Sequence, residues 1–235
     1  MYSFDGRVRF SEVDQNGYLT LKHLVDYFQD CCIFHSEDVG LGQSLASPEE
    51  RKKVWMLVGW QIEINRLPKY AERITTTTWP YSFVRFKGGR NFVMTDESGE
   101  IIARADSQWV YMNLETGFPE RVQDNITEIY EMGEPMELGI DKKKLRIPEE
   151  CRVDEPVLVR KEHLDTNRHV NNGQYIMMAA DLLPEQVKIH RMKVEYKSQA
   201  KIGDVIIPKV KDEDGKYLVA LCSEDDKAYA IVEFE

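Results

Sequence analysis

The sequence predicts an α+β protein made of two similar halves. Three observations carry that prediction: a helical apolar spacing followed by β-rich runs, the recurrence of that order, and a motif repeated at a fixed offset. In the first half, apolar residues at 21, 24, 25, 28, 32 and 33 follow the spacing of an amphipathic helix over 21–34. Residues 7–10 read as a short strand before it. β-Branched and aromatic runs follow at 54–65, 73–79, 83–94 and 100–114, the last two joined through Asp96-Glu97-Ser98-Gly99. The second half repeats the order: a strand at 157–161, a helix at 172–182, then strands at 187–197, 205–211, 217–222 and 228–234. Its turns are Asp212-Glu213-Asp214-Gly215 and residues 223–227. Between the halves, residues 132–150 are charged and punctuated by proline and read as a linker, which divides the chain into domains at 1–131 and 151–235.

The repeat holds residue by residue. Asp14-Gln15-Asn16-Gly17-Tyr18-Leu19 aligns with Asp165-Thr166-Asn167-Arg168-His169-Val170 at an offset of 151. Ile62-Glu63-Ile64 aligns with Val194-Glu195-Tyr196, and Ala71-Glu72-Arg73-Ile74 with Gly203-Asp204-Val205-Ile206, at 132. The difference, 151 − 132 = 19 residues, is extra chain in the first half, expected at 35–53. A long helix followed by an antiparallel sheet, twice, predicts a sheet wrapped around a mostly apolar helix in each half, the two sheets side by side. That is the double hot-dog fold.

Composition sets the outer bounds. With 42% apolar and 31% charged residues in 235, disorder and fibre are excluded and a substantial core is available. A net charge of −10 opposes attraction to phosphate backbones, so no nucleic-acid partner is expected. No uncharged run approaches the ~18 residues of a membrane helix, so no span is expected. Residues 1–5 lead straight into an alternating segment with neither a basic leader nor an apolar run, so the expected compartment is the cytoplasm. Cys31, Cys32, Cys151 and Cys222 form no Cys-x-x-Cys pair and read as reduced thiols.

One copy of the repeated motif keeps a full set of reactive side chains. Asp165, Asn167 and His169 correspond to Asp14, Asn16 and Tyr18. A tyrosine, with an unperturbed pKa of about 10, cannot replace an imidazole at about 6.5. One half works and the other is retired. The trio precedes a helix start at Asn171-Asn172, where unpaired backbone N–H groups favour negative charge and can hold an oxyanion. Asp and Asn are also ordinary cap and turn residues, but one helix start needs only one or two cap acceptors, and His169 exceeds that need. A metal cluster of His163, Asp165 and His169 is disfavoured because the flanking amides are poor zinc ligands, so no metal is expected.

These residues carry a family resemblance. Asp165-x-Asn167 followed by His169-Val170-Asn171-Asn172 resembles the catalytic motif of the acyl-acyl carrier protein thioesterases, hot-dog enzymes that release fatty acids from carrier-bound thioesters. Trp55, Trp60, Arg66-Leu67-Pro68 and Trp79 resemble the family's first hot dog, Val110-Tyr111-Met112-Asn113 its later strand, and Val194-Glu195-Tyr196-Lys197 the strand after the catalytic helix. Without the N-terminal extension of plastid members, the chain is similar to the bacterial ones. It departs from plant members where they carry a glutamate and a cysteine with assigned catalytic roles: Gln199 and Ala200 stand there. A Cys/His/Asn scheme is therefore excluded at this site, and a glutamate base is weakened.

The resemblance implies hydrolysis of acyl-acyl carrier protein centred on Asp165, as general base toward water or as nucleophile. Asn167 and His169 would orient water or the acyl carbonyl, and Gln199, Asn171 and Asn172 would support. It places the acyl chain in the first hot dog, with Phe28, Trp55, Leu57 and Trp60 as candidate lining, and it implies no cofactor, since phosphopantetheine arrives with the substrate. Carrier docking would fall to basic clusters: Arg51-Lys52-Lys53, residues 142–146, and Lys188, Arg191, Lys193, Lys197 and Lys201. Acyl-coenzyme A hydrolysis and non-catalytic thioester binding are the alternatives. Either a monomer or a homodimer fits a duplicated chain.

Overall fold

The computed structural model describes residues 1–42, 52–140 and 143–235. The chain divides into two compact units, one of Met1–Val58 and Ile62–Leu138, the other of Gly59–Gln61 and Gly139–Glu235. The first contains β1 (Tyr2–Arg7), a 3-10 turn (Phe10–Glu12), α1 (Leu21–Asp38), β2 (Lys53–Ile64), β3 (Arg73–Val84), β4 (Lys87–Asp96), β5 (Ile101–Asn113) and the single-turn α2 (Asp124–Thr127). Its strands lie in the order β1-β3-β4-β5-β2. The second contains β6 (Arg152–Val153), β7 (Val157–Leu158), a 3-10 turn (Lys161–His163), α3 (Asn172–Ala180), β8 (Arg191–Tyr196), β9 (Val205–Glu213), β10 (Lys216–Cys222) and β11 (Ala228–Phe234). Its order is β6-β9-β10-β11-β8, with β7 also on β9. Strand roles match one for one. In each unit the helix lies against the sheet, α1 on β1 and β3, α3 on β10 and β11, as a hot dog requires.

The duplication extends to single hydrogen bonds. Val8 N–H donates to the Glu72 carbonyl and Val159 N–H to that of Asp204, both at 2.9 Å, and Leu19 N–H bonds Pro68 O as Val170 N–H bonds Ala200 O. Where Ala71 takes a left-handed φ of 66°, its counterpart Gly203 takes 88°. Thr20 and Asn171 are the equivalent helix caps, Thr20 accepting from His23 N–H and Asn171 from Gly173 N–H.

Several boundaries differ from the sequence reading. The first strand is Tyr2–Arg7, not 7–10: its alternating half-buried and exposed side chains pair with β3, whereas the Glu12 carboxylate and N–H both fold back onto Arg9 and close a turn. The second unit's strand stops at Leu158 and is followed by a 3-10 turn for the same reason. α1 runs past residue 34 to Asp38, because His35 is 5% exposed and continues the buried stripe of Leu24, Phe28, Cys31 and Cys32. Part of the extra chain expected at 35–53 is thus helix, α1 having 18 residues against 9 in α3, and residues 43–51 lie outside the described residues.

The stretch read as a linker is tied down on both sides of residues 141–142, which are outside the described residues. In the first unit Trp79 Nε1 donates to the Glu134 carbonyl, Gly133 N–H to that of Pro80, and Met136 N–H to the buried Asn91 side chain. In the second, Leu145 is 8% exposed and packs with Ala220, Cys222 and Ile231 while its N–H bonds Glu195 Oε1. Among the described residues no helix is long and apolar enough to cross a membrane.

Candidate active site

Asp165 opens a tight turn at the foot of α3. Its Oδ1 accepts from Asn167 N–H at 2.8 Å and His169 N–H at 3.3 Å, and its Oδ2 lies 3.4 Å from Asn167 Nδ2. Backbone bonds close the turn, Asp165 N–H to His169 O at 2.8 Å and Arg168 N–H to Asp165 O at 3.1 Å. Arg168 pays a left-handed φ of 63° where the other copy has Gly17 at 80°. In that copy Asp14 Oδ1 accepts from Asn16 and Tyr18 N–H, both at 2.9 Å. The two aspartates perform the same structural task through Oδ1.

The copies part at the next side chain. Half-buried His169 has its Nδ1 sealed from solvent with no hydrogen-bond partner among the described residues, whereas Tyr18 is 38% exposed with Lys69 over its ring. A buried polar atom without a partner costs roughly 1–3 kcal/mol, so the two copies differ in hydrogen-bonding capacity at this position. Asn167 is exposed beside it. Asn171 is committed to capping, its Oδ1 on Gly173 N–H at 2.8 Å, and Asn172 is the first helical residue, its carbonyl accepting from the Tyr196 hydroxyl at 3.1 Å. Gly173 N–H is thus occupied, and Gln174 N–H bonds Asn171 O, so these two helix-start amides are not open to an oxyanion. Gln199 is exposed on a loop stitched to the site by Val170 N–H on Ala200 O at 3.0 Å.

Two residues at this site escaped the sequence reading. Tyr175 accepts from Ala200 N–H at 2.9 Å and holds the Gln199 loop to the helix, and burial pushes its phenol up to about 12, so it stays neutral. Its signal was a tyrosine on the apolar helix face, where a buried hydroxyl needs a partner. Gln174 has a sealed Oε1 without a partner among the described residues. As the third helical residue after an Asn cap it fits the capping-box spacing, but Asn171 N–H bonds His163 O at 2.9 Å instead, which releases the amide. His163 is itself engaged, its Nδ1 accepting from Arg160 N–H at 3.1 Å.

The candidate lining residues fall in different surroundings. Phe28 is fully buried against Phe92 with ring centres 5.4 Å apart, and half-buried Trp55 lies between Phe83 and Tyr111 at 5.7 and 5.0 Å. Leu57 is buried, and Trp60 is buried in the Gly59–Gln61 strip that groups with the second unit. The basic clusters are thinner than the letters suggest. Lys193 is 5% exposed and donates to the Lys143 carbonyl, Lys197 pairs with Glu195, and Lys53 pairs with Glu120, while Arg51 and Lys142 lie outside the described residues. Lys193 lies on the opposite face of β8 from Met192 and Val194 and is covered there by the chain at residues 143–145, which removes it from any docking face.

Residues 2–130 match the acyl-ACP thioesterase N-terminal domain and residues 148–234 the acyl-ACP thioesterase C-terminal domain. The chain belongs to the acyl-ACP thioesterase family. It is similar to the chloroplastic oleoyl-acyl carrier protein thioesterase 2 of Arabidopsis thaliana, 27% identical over 223 residues covering 85% of this chain and 59% of the relative. The chain therefore spans about three fifths of the length of such curated relatives. The crystal structure of an acyl-ACP thioesterase from Bacteroides thetaiotaomicron superposes with a TM-score of 0.86 at 26% identity, covering 99% of this chain and 96% of that one. The 12:0-ACP thioesterase from Umbellularia californica shares the fold, with a TM-score of 0.85 at 18% identity over 99% and 96% of the two chains. In this double hot dog, Asp165, Asn167 and His169 lie in the second unit and Asp14, Asn16 and Tyr18 hold the matching positions in the first.

Proposed function

We propose that the chain hydrolyses acyl-acyl carrier protein to a free fatty acid and the carrier thiol. The observation that carries this reading is the pair of superimposable turns, of which one bears an imidazole with a buried open nitrogen and the other a phenol. A turn needed only for folding has no use for that difference. Asp165 Oδ2 takes the proton of a water aimed at the thioester carbonyl, held in place by Asp165 Oδ1 anchored on two backbone amides. With the Gly173 and Gln174 amides engaged, the donors to the developing oxyanion are side chains, Asn167 Nδ2 and the His169 ring. The proton taken up by Asp165 passes through the His169 imidazole to the departing thiolate, which returns both side chains to their starting states. Gln199 can hydrogen-bond to the pantetheine arm but cannot take a proton. The four free thiols suit a reducing cytoplasm, and the exposed lysines and arginines near 188–201 suit an acidic carrier.

The test is release of thiol and fatty acid from carrier-bound acyl chains of graded length, with Asp165→Asn as control. The expected result is turnover by the natural chain that falls by roughly a hundredfold or more in the variant. Hydrolysis of coenzyme A thioesters with the carrier substrates inert would move the activity to acyl-CoA, and saturable binding without thiol release would make the chain a binding module.

A further inference from the structure

The interior of the first unit is polar at one end, and the fold does not require it to be. Counted from the hairpin pairs Val84↔Lys87 and Glu213↔Lys216, Arg90 on β4 corresponds to Val219 on β10, and their cross-strand neighbours are Ser107 and Val232. Val219 and Val232 are fully buried core. The same sheet positions in the first unit hold a guanidinium 7% exposed and a hydroxyl that is sealed. Arg90 shares a strand face with Phe92, which packs on Phe28 of α1, so its side chain lies on the helix side of the sheet. It meets the last turns of α1, the part for which α3 has no counterpart.

Among the described residues Arg90 has no carboxylate partner. Its Nη1 bonds His35 Nδ1 at 2.9 Å and Thr78 Oγ1 at 3.4 Å, and the guanidinium lies 5.3 Å from the Tyr130 ring centre. Nε and Nη2, the fork that fits a carboxylate side by side, carry no hydrogen bond among the described residues. A second group on the same face of β3 is also unmet: Thr76, two residues before Thr78 and 1% exposed, has an Oγ1 with no partner among the described residues. A buried cation without a counter-charge and a buried hydroxyl without a partner are each unfavourable in an empty core.

We propose that the Arg90 fork and the Thr76 hydroxyl form a carboxylate-binding subsite inside the first unit. The carboxylate has two sources: the far end of an acyl chain that carries one, which rests on the thioesterase reading, or the head of a free fatty acid, which does not. Tyr130 faces the guanidinium with its ring centre at 5.3 Å, and His35, which accepts from Nη1, stacks on Tyr2 at 5.1 Å.

The experiment uses the whole chain with octanedioate and octanoate as probes, followed by thermal unfolding and by NMR of the His35 ring, and compares Arg90→Met and Thr76→Val. Octanedioate is expected to raise the unfolding temperature by about 2 °C or more and to perturb the His35 resonances, with the rise lost in Arg90→Met and reduced in Thr76→Val. A matching rise with octanoate assigns the subsite to free acids; a rise with the diacid alone assigns it to the far end of a chain. Carrier-bound octanedioyl turnover should then fall roughly tenfold relative to octanoyl turnover in Arg90→Met. If neither acid shifts unfolding or the His35 ring, or if Arg90→Met keeps the full shift, the subsite does not exist. Should Arg90→Met fail to fold, Thr76→Val and the His35 signal still decide. Absence of turnover with every carrier substrate, alongside intact acid binding, would overturn the thioesterase reading and leave the subsite standing.

Discussion

At the scale of single residues, the molecule contains its own control. Asp14 and Asp165 accept the same two backbone N–H bonds in the same turn, so replacing either by alanine removes the same structural interaction. Each substitution is expected to cost about 1–2 kcal/mol in denaturant unfolding. Only Asp165→Ala should also abolish turnover; an equal loss from Asp14→Ala would show that the turn matters through folding alone. Asn171 belongs on the structural side of this division, because its amide is spent on Gly173 N–H, and Asn171→Ala should cost about 1 kcal/mol of stability.

At the scale of elements, the two helices share caps and first turns and differ in length. α3 stops at Ala180, whereas α1 continues through Cys31, Cys32 and His35 to Asp38, and it is this extension that meets Arg90. The connecting stretch behaves as two clasps, not as a free tether. Leu145 sits in a core of Ala220, Cys222 and Ile231, so Leu145→Ala is expected to lower the unfolding free energy by about 2–4 kcal/mol, measured by urea titration. A cost under about 0.5 kcal/mol would return residues 143–147 to the status of a surface loop.

At the scale of the whole molecule, burial and the Arg90 charge, with the N-terminal amine, push the His35 imidazole down to about 4 against a pull upward from Asp38. The folded pKa lies below the unfolded value of about 6.5, so the neutral ring favours the fold. That stability is fully present above about pH 6.5 and is lost as pH falls from about 6.5 toward about 4, because the unfolded chain takes up the proton first. The loss is on the order of 3 kcal/mol. Carboxylates titrate in the lower part of this range, so the measurement is the difference between natural chain and His35→Gln. The natural chain should lose more stability across that interval, and parallel curves would show that His35 does not carry the acid limb.

The duplication and the Asp165, Asn167, His169 turn are legible in the letters. Each rests on side chains bonding to backbone within five residues, and such local bonds leave fixed spacings in a sequence. What the letters could not show depends on residues forty-five or more positions apart. Arg90 and Asn91 are two polar letters inside the strand run 83–94 until β4 sets Arg90 against α1 and Asn91 receives the Met136 amide, and Lys193 reads as a docking charge until the chain at 143–145 covers it. Burial is a property of the assembled sheet and helix, and it converts the same side chain from solvated decoration into a group that must find a partner.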